Sequence, residues 1–233
     1  MKAYHIYIMR HGRTMANEEG IYIGKTDLPL TENGKDMLRE LTKEYEYPYV
    51  DRVYSSPLER AVQSSEILFP DAEIVIADDF REMDLGAFEG CRADELAQLD
   101  TYKKWLRGGW DSAPPNGESI ADMVIRCANA FDSVLMDMMD KGFTKAAVVT
   151  HSGIIMNTLA CFGLPKKSPM DFMCDPGCGY EICTTAQLWS QGRCFEILRH
   201  IPSYSTRGFE ENYATYDADE DYYMPDMPFE SGE

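Results

Sequence analysis

Short β-rich segments alternate with helical ones along this chain, and three of them run straight into polar loops. Residues 4–9 end in Arg10-His11-Gly12, residues 52–55 in Ser56-Pro57-Leu58-Glu59, and residues 146–150 in His151-Ser152-Gly153. Strands that alternate with helices assemble into a largely parallel sheet with helices on both faces. The expected fold is therefore α/β, three layers (α/β/α) around a mostly parallel central sheet. Ligands of such sheets bind at the carboxyl ends of the strands, and all three loops fall there.

The helices carry their own signals. Thr31 caps a helix running to about residue 45. Ser56, Pro57 and Glu59 read as N-cap, first helical residue and capping-box partner of a helix over 57–68. Another helix is expected over 93–106. The next opens at Ser119 and Asp122, with Met123, Val124, Cys127, Phe131, Val134 and Met138 at helical spacing. A further helix spans about 154–162 and stops at Gly163. Residues 74–76 form a third strand, and two more strands lie near 180–189 and 194–200. Residues 12–30, rich in Gly, Asn, Thr and Pro, read as one long loop, and loops of that length are usually functional.

Charge narrows the partners. Twenty-two Lys and Arg against 40 Asp and Glu give a net charge of -18. That acidity excludes nucleic-acid binding through a general basic field and disfavours anionic membrane surfaces. No stretch approaches the ~18 apolar residues that cross a bilayer. The start of the chain shows no secretory signal. Seven cysteines, an odd number, then read as reduced cytoplasmic thiols. Cys174, Cys178 and Cys183 cluster, but no CxxC pair occurs, so no metal is expected. Residues 1–202 read as one domain, with monomer and homodimer both compatible with it. Residues 203–233 hold nine acids and one base, and read as an acidic extension.

Two of the four histidines, His11 and His151, sit directly after strands and just before or near a glycine. Arg10 precedes one of them, and Arg60 falls in the first turn of a helix, whose free amides favour anions. Two arginines and two histidines at one sheet rim describe a phosphate pocket. Arginine offers planar bidentate donors to phosphate oxygens, and a neutral imidazole can attack phosphorus. A leaving alkoxide then needs a proton, for which Glu82 and Glu89 are candidates. Burial near phosphate would raise such an acid's pKa and suit it to donation.

These residues lie in five ordered motifs. They are Arg10-His11-Gly12-Arg13-Thr14 with Asn17 and Gly24; Ser55 to Ala61; Arg81 to Gly90; Pro115 to Ser119; and Val149 to Gly153. Together they resemble the signature of the histidine phosphatase superfamily, the phosphoglycerate mutase-like fold. The resemblance implies that His11 is the nucleophile and becomes phosphohistidine. It implies that Arg10, Arg60 and His151 clamp the phosphoryl oxygens, with Asn17, Gly24 and Ser152 in the phosphate-binding set. Glu82 would protonate the leaving group and then activate water. It implies a small-molecule phosphomonoester as substrate, and no metal or other cofactor.

Within that family, cofactor-dependent mutases carry a longer segment after the catalytic acid. Here 36 residues separate Glu82 from Ser119, which favours the phosphatases, such as α-ribazole and broad-specificity phosphatases. A non-catalytic regulatory relative is disfavoured because Arg10, His11, Arg60, Glu82 and His151 are all present. Arg13 and Lys25 depart from residues common in the family. Trp105, Trp110, Phe172 and Met173 are candidates for contacting the leaving group, although a core role fits them slightly better.

Overall fold

The computed structural model describes residues 2–202, and the acidic extension lies outside the described residues. Seven strands form one sheet in the order β3-β2-β4-β1-β6-β7-β5. They are β1 (Ala3–Arg10), β2 (Arg52–Ser55), β3 (Glu73–Ile76), β4 (Lys145–Thr150), β5 (Gly163–Leu164), β6 (Gly179–Thr185) and β7 (Phe195–Ile201). Only β6 runs against the other six. The sheet is thus mixed but mostly parallel.

The central strands are buried on both faces, which is why they read as continuous apolar runs. Ile6, Ile8, Ala146 and Val148 point to one layer, where they meet Met123, Phe131 and Leu135 of α6 (Ile120–Lys141) and Ile154, Ile155 and Leu159 of α7 (Ser152–Phe162). Tyr7, Met9, Ala147 and Val149 point the other way, toward Leu38 of α2 (Glu32–Glu44) and Ala61 and Leu68 of α3 (Glu59–Leu68). The alternation along β1 and β4 therefore fixes two helix layers and the register between them.

Caps at Thr31 and Ser119 form as expected, each hydroxyl accepting the amide three residues on. Four expectations change. The helix predicted over 57–68 begins at Glu59, with Leu58 as its N-cap. The Ser56 hydroxyl meets His151 instead, and Asp27 accepts the Glu59 amide. The helix predicted over 93–106 breaks into α4 (Ala93–Leu96) and α5 (Asp100–Leu106). Asp100 opens the second piece, where a carboxylate suits the positive end of a helix. The loop predicted over 12–30 contains α1 (Met15–Glu19), capped reciprocally by Thr14 and Asn17. The strand predicted over 180–189 ends at Thr185, whose hydroxyl accepts the Leu188 amide and starts α8 (Ala186–Gly192). Trp189 on α8 is buried and donates to Asp132, so tertiary packing overrides the β-like composition.

Candidate active site

The carboxyl ends of β2, β4 and β1 lie side by side, and backbone bonds carry the pairing one residue past each strand. The His11 amide donates to Thr150 O (3.0 Å), and the Ser56 amide donates to Val149 O (2.9 Å). His11, Ser56 and His151 therefore converge at one rim. The His11 and His151 ring centroids are 5.0 Å apart.

His11 is 5% exposed, and its Nδ1 lies 2.6 Å from Gly12 O. A carbonyl only accepts, so Nδ1 carries the proton, and in the neutral ring the Nε2 lone pair is left for reaction. Burial, then the charges of Arg60 and Arg10, hold its pKa well below the ordinary 6.5. His151 is fully buried. Its Nδ1 accepts from Arg60 Nε (3.3 Å), so Nε2 donates to Ser56 Oγ (2.7 Å). Burial, His11 and nearby arginines push its pKa well down too.

Arg60, 2% exposed, crosses from α3 to the loop after α1. Its Nη1 donates to Thr26 O (2.8 Å) and its Nη2 to Gly24 O (2.7 Å). With Nε on His151, three of its five N–H groups are engaged among the described residues, which leaves two to meet an anion. Arg10 is held by Nη1 against Cys174 O (2.6 Å), while its Nε is buried with no partner among the described residues. A buried donor without a partner is costly, and an anion bound at this rim would satisfy it.

Glu82 is half-buried beside the start of α7. Its carboxylate accepts from the Met83 amide (2.9 Å) and the Gly153 amide (3.1 Å). Burial raises its pKa, while those amides and Arg60 pull it back. A Cβ at Gly153 would lie 2.7 Å from Glu82 Oε1, so glycine is what lets this acid reach the helix N-terminus.

Of the other predicted residues, Asn17 faces Thr14: its Oδ1 accepts the Thr14 amide at 3.1 Å, and its backbone amide donates to the Thr14 hydroxyl. Ser152 is the first residue of α7, with its hydroxyl on Met156 Sδ at 3.5 Å. Gly24 contributes its carbonyl to Arg60, and its N–H donates to Glu89 (3.0 Å). Phe172 is core; Trp105 and Trp110 are half-buried, whereas Met173 is 39% exposed.

Glu89 takes a different part from the acid role open to it in the sequence. It accepts from the Gly24 and Lys25 amides, the Thr26 hydroxyl (2.7 Å) and the Leu85 amide (3.3 Å). It fastens the loop that holds Arg60. Gly24 must be glycine for that fastening, because a Cβ there would lie 1.9 Å from Met83 O. Gly24→Ala is expected to cost about 3 kcal/mol of stability, measured by denaturant unfolding, and to displace Arg60's anchor.

Sequence reasoning missed three contributors. Ser56 reads as a helix cap but orients His151. Ser64, one turn after Arg60, accepts the Gly12 amide (2.9 Å) and ties α3 to the loop after His11. Arg126 reads as one polar residue of an amphipathic helix, yet it is buried behind Glu82. Only the helical spacing of Arg60 and Ser64 was a usable signal.

Fold and site together define an α/β protein whose sheet rim gathers two histidines, two arginines and a carboxylate. Residues 6–195 match the model of the histidine phosphatase superfamily (branch 1), and the chain belongs to that family. It is 28% identical over 178 residues to the adenosylcobalamin/α-ribazole phosphatase of Escherichia coli K12, covering 74% of this chain and 86% of that one. It is 29% identical over 170 residues to the probable phosphoglycerate mutase GpmB of Enterobacter sp. strain 638, covering 69% and 75%. The crystal structure of the α-ribazole phosphatase from Shigella flexneri superposes with a TM-score of 0.68 at 24% identity, covering 83% of this chain and 94% of that one, and shows the fold.

Proposed function

We propose that this chain is a metal-independent phosphomonoesterase that hydrolyses a small phosphorylated metabolite through a phosphohistidine at His11. The observation that carries the reading is the His11 ring. Its Nδ1–H is fixed on Gly12 O, which leaves Nε2 for reaction, and the charges of Arg60 and Arg10 act on the ring. In the first step Nε2 forms a bond to phosphorus as the ester P–O bond breaks. Glu82 gives its proton to the departing oxygen. In the second step Glu82 takes a proton from water, the water oxygen bonds phosphorus, and the N–P bond breaks. Arg10 and Arg60 spread charge over the phosphoryl oxygens, and His151 holds Arg60 at its Nε. Phosphoryl transfer relies mainly on such positioning and charge stabilisation.

Relatives named as phosphatases support hydrolysis, and so do the 36 residues between Glu82 and Ser119, too few for the longer mutase segment. Seven free thiols suit the cytoplasm. No helix among the described residues is long and apolar enough to cross a membrane.

The test is phosphate release from p-nitrophenyl phosphate with and without EDTA. Equal, robust release supports the reading, and loss with EDTA contradicts metal independence. A protein inactive there, yet interconverting phosphoglycerates once primed with a bisphosphate, would be a mutase. The pH profile follows from His11. Neutral imidazole is required, and its pKa is lowered in the folded enzyme, so activity persists below pH 6.5 and falls only in stronger acid. An acid limb centred at or above 6.5 would contradict the site's electrostatics.

A further inference from the structure

Arg126 lies on α6, yet it divides its donors between the segment that carries Glu82 and the Glu118 carboxylate beside it. Its Nη1 donates to Asp79 O (2.6 Å) and Arg81 O (2.8 Å). Its Nη2 donates to Glu82 O (3.3 Å) and to Glu118 Oε2 (2.8 Å), and its Nε donates to Glu118 Oε1 (2.6 Å). These are all five N–H groups of a guanidinium. Glu118 closes the other side of the same segment: its amide donates to Asp84 O (2.8 Å), and its carboxylate accepts the Asp84 amide (3.4 Å). The backbones approach so closely that a Cβ on Gly86 would lie 2.2 Å from Pro115 O and one on Gly117 2.5 Å from Asp84 O.

An ion pair this enclosed is weak evidence of stabilisation, since well-packed apolar side chains often do as well. The fork instead does something apolar side chains cannot. It fixes three carbonyls, one of them Glu82's own, and so sets where the Glu82 side chain leaves the backbone. The Met83 and Gly153 amides then orient the carboxylate. The hydrogen bonds of Arg126 and Glu118 tie them to the 79–84 segment and to each other.

We infer that Arg126 and Glu118 are positioning residues for the general acid: they hold the 79–84 segment so that the Glu82 carboxyl meets the leaving-group oxygen. This rests on the reading of Glu82 given above. It predicts a loss that depends on the leaving group. p-Nitrophenolate departs without a proton, whereas an alkoxide does not. General acid catalysis is worth roughly 10²–10⁴-fold, so part of that range is lost when the acid is displaced, and only for the alkyl ester.

The experiment compares kcat/KM on p-nitrophenyl phosphate and on glycerol phosphate for the wild type, Arg126→Lys and Glu118→Gln, alongside their thermal unfolding. Lysine keeps the charge but not the planar fork. Arg126→Lys is expected to lose at least about 10-fold more on the alkyl ester than on the aryl ester. Glu118→Gln, which keeps an oxygen for Arg126, should lose less in the same direction. If Arg126→Lys does not fold, Glu118→Gln carries the test alone. Equal losses on both esters, or no loss on either, would overturn the positioning role and leave the phosphatase reading standing. A wild type that hydrolyses neither ester would overturn both.

Discussion

His11→Ala is expected to lower kcat/KM on every phosphomonoester by on the order of 10⁴-fold or more while leaving the fold intact. The residue is buried, but among the described residues its ring makes one hydrogen bond, to the carbonyl of the next residue. Its backbone amide, which pairs with Thr150 O, is unaffected by the substitution. Structure thus depends little on the imidazole, whereas the proposed chemistry requires it. The same assay with phosphate release and unfolding curves separates the two. Activity within 10-fold of the wild type, an estimate well short of a nucleophile's share, would move the nucleophile elsewhere.

Arg60→Ala is expected to damage both stability and rate. Removing the guanidinium leaves Gly24 O, Thr26 O and His151 Nδ1 without their donor in a site that is 2% exposed at Arg60. Hydrogen bonds from a charged group are worth roughly 1.5–3 kcal/mol each, with losses that do not add, so about 3 kcal/mol of stability should disappear. The rate should fall about 10³-fold or more, because a preorganised charge facing the phosphoryl group is lost. A third signature identifies the cause. Arg60 depresses the His11 pKa, so without it the acid limb of the rate profile moves to higher pH. A limb that stays in place would mean that Arg60 does not act on His11 through its charge.

The parts of this site that the sequence reveals are those set by local pattern. His11 and His151 follow directly from strands, and strand ends in an α/β sheet converge, so the sequence alone predicts their meeting. Arg60 was marked by its place in the first turn of a helix. The parts that stay hidden depend on which distant backbone atom a side chain reaches. Ser56 satisfied every rule for a helix cap, but His151 lies 95 residues away in sequence and takes its hydroxyl. Glu89 and Glu82 are equivalent acids by residue chemistry alone; the family resemblance favours Glu82, and the structure puts Glu89 on the 24–26 loop. Arg126 sits among the apolar residues of α6, and periodicity cannot tell a buried arginine with five partners from one on the solvated face.

The same limit applied to the fold. Buried strands were legible because β1 and β4 are apolar on both faces. The boundary at Thr185 was not, because residues 186–189 turn helical only to place Trp189 against Phe131 and Phe195. A short segment with mixed propensity takes its conformation from such packing.

The most direct test of the central claim is to mix enzyme with p-nitrophenyl phosphate, quench in base within the first turnover, and map the phosphoryl group by peptide mass spectrometry. A base-stable, acid-labile phosphoryl group on His11, formed with a matching burst of nitrophenolate and absent from His11→Ala, is the predicted result. Turnover with no phosphorylated His11 and no burst, or with the label on another residue, would contradict the phosphohistidine route.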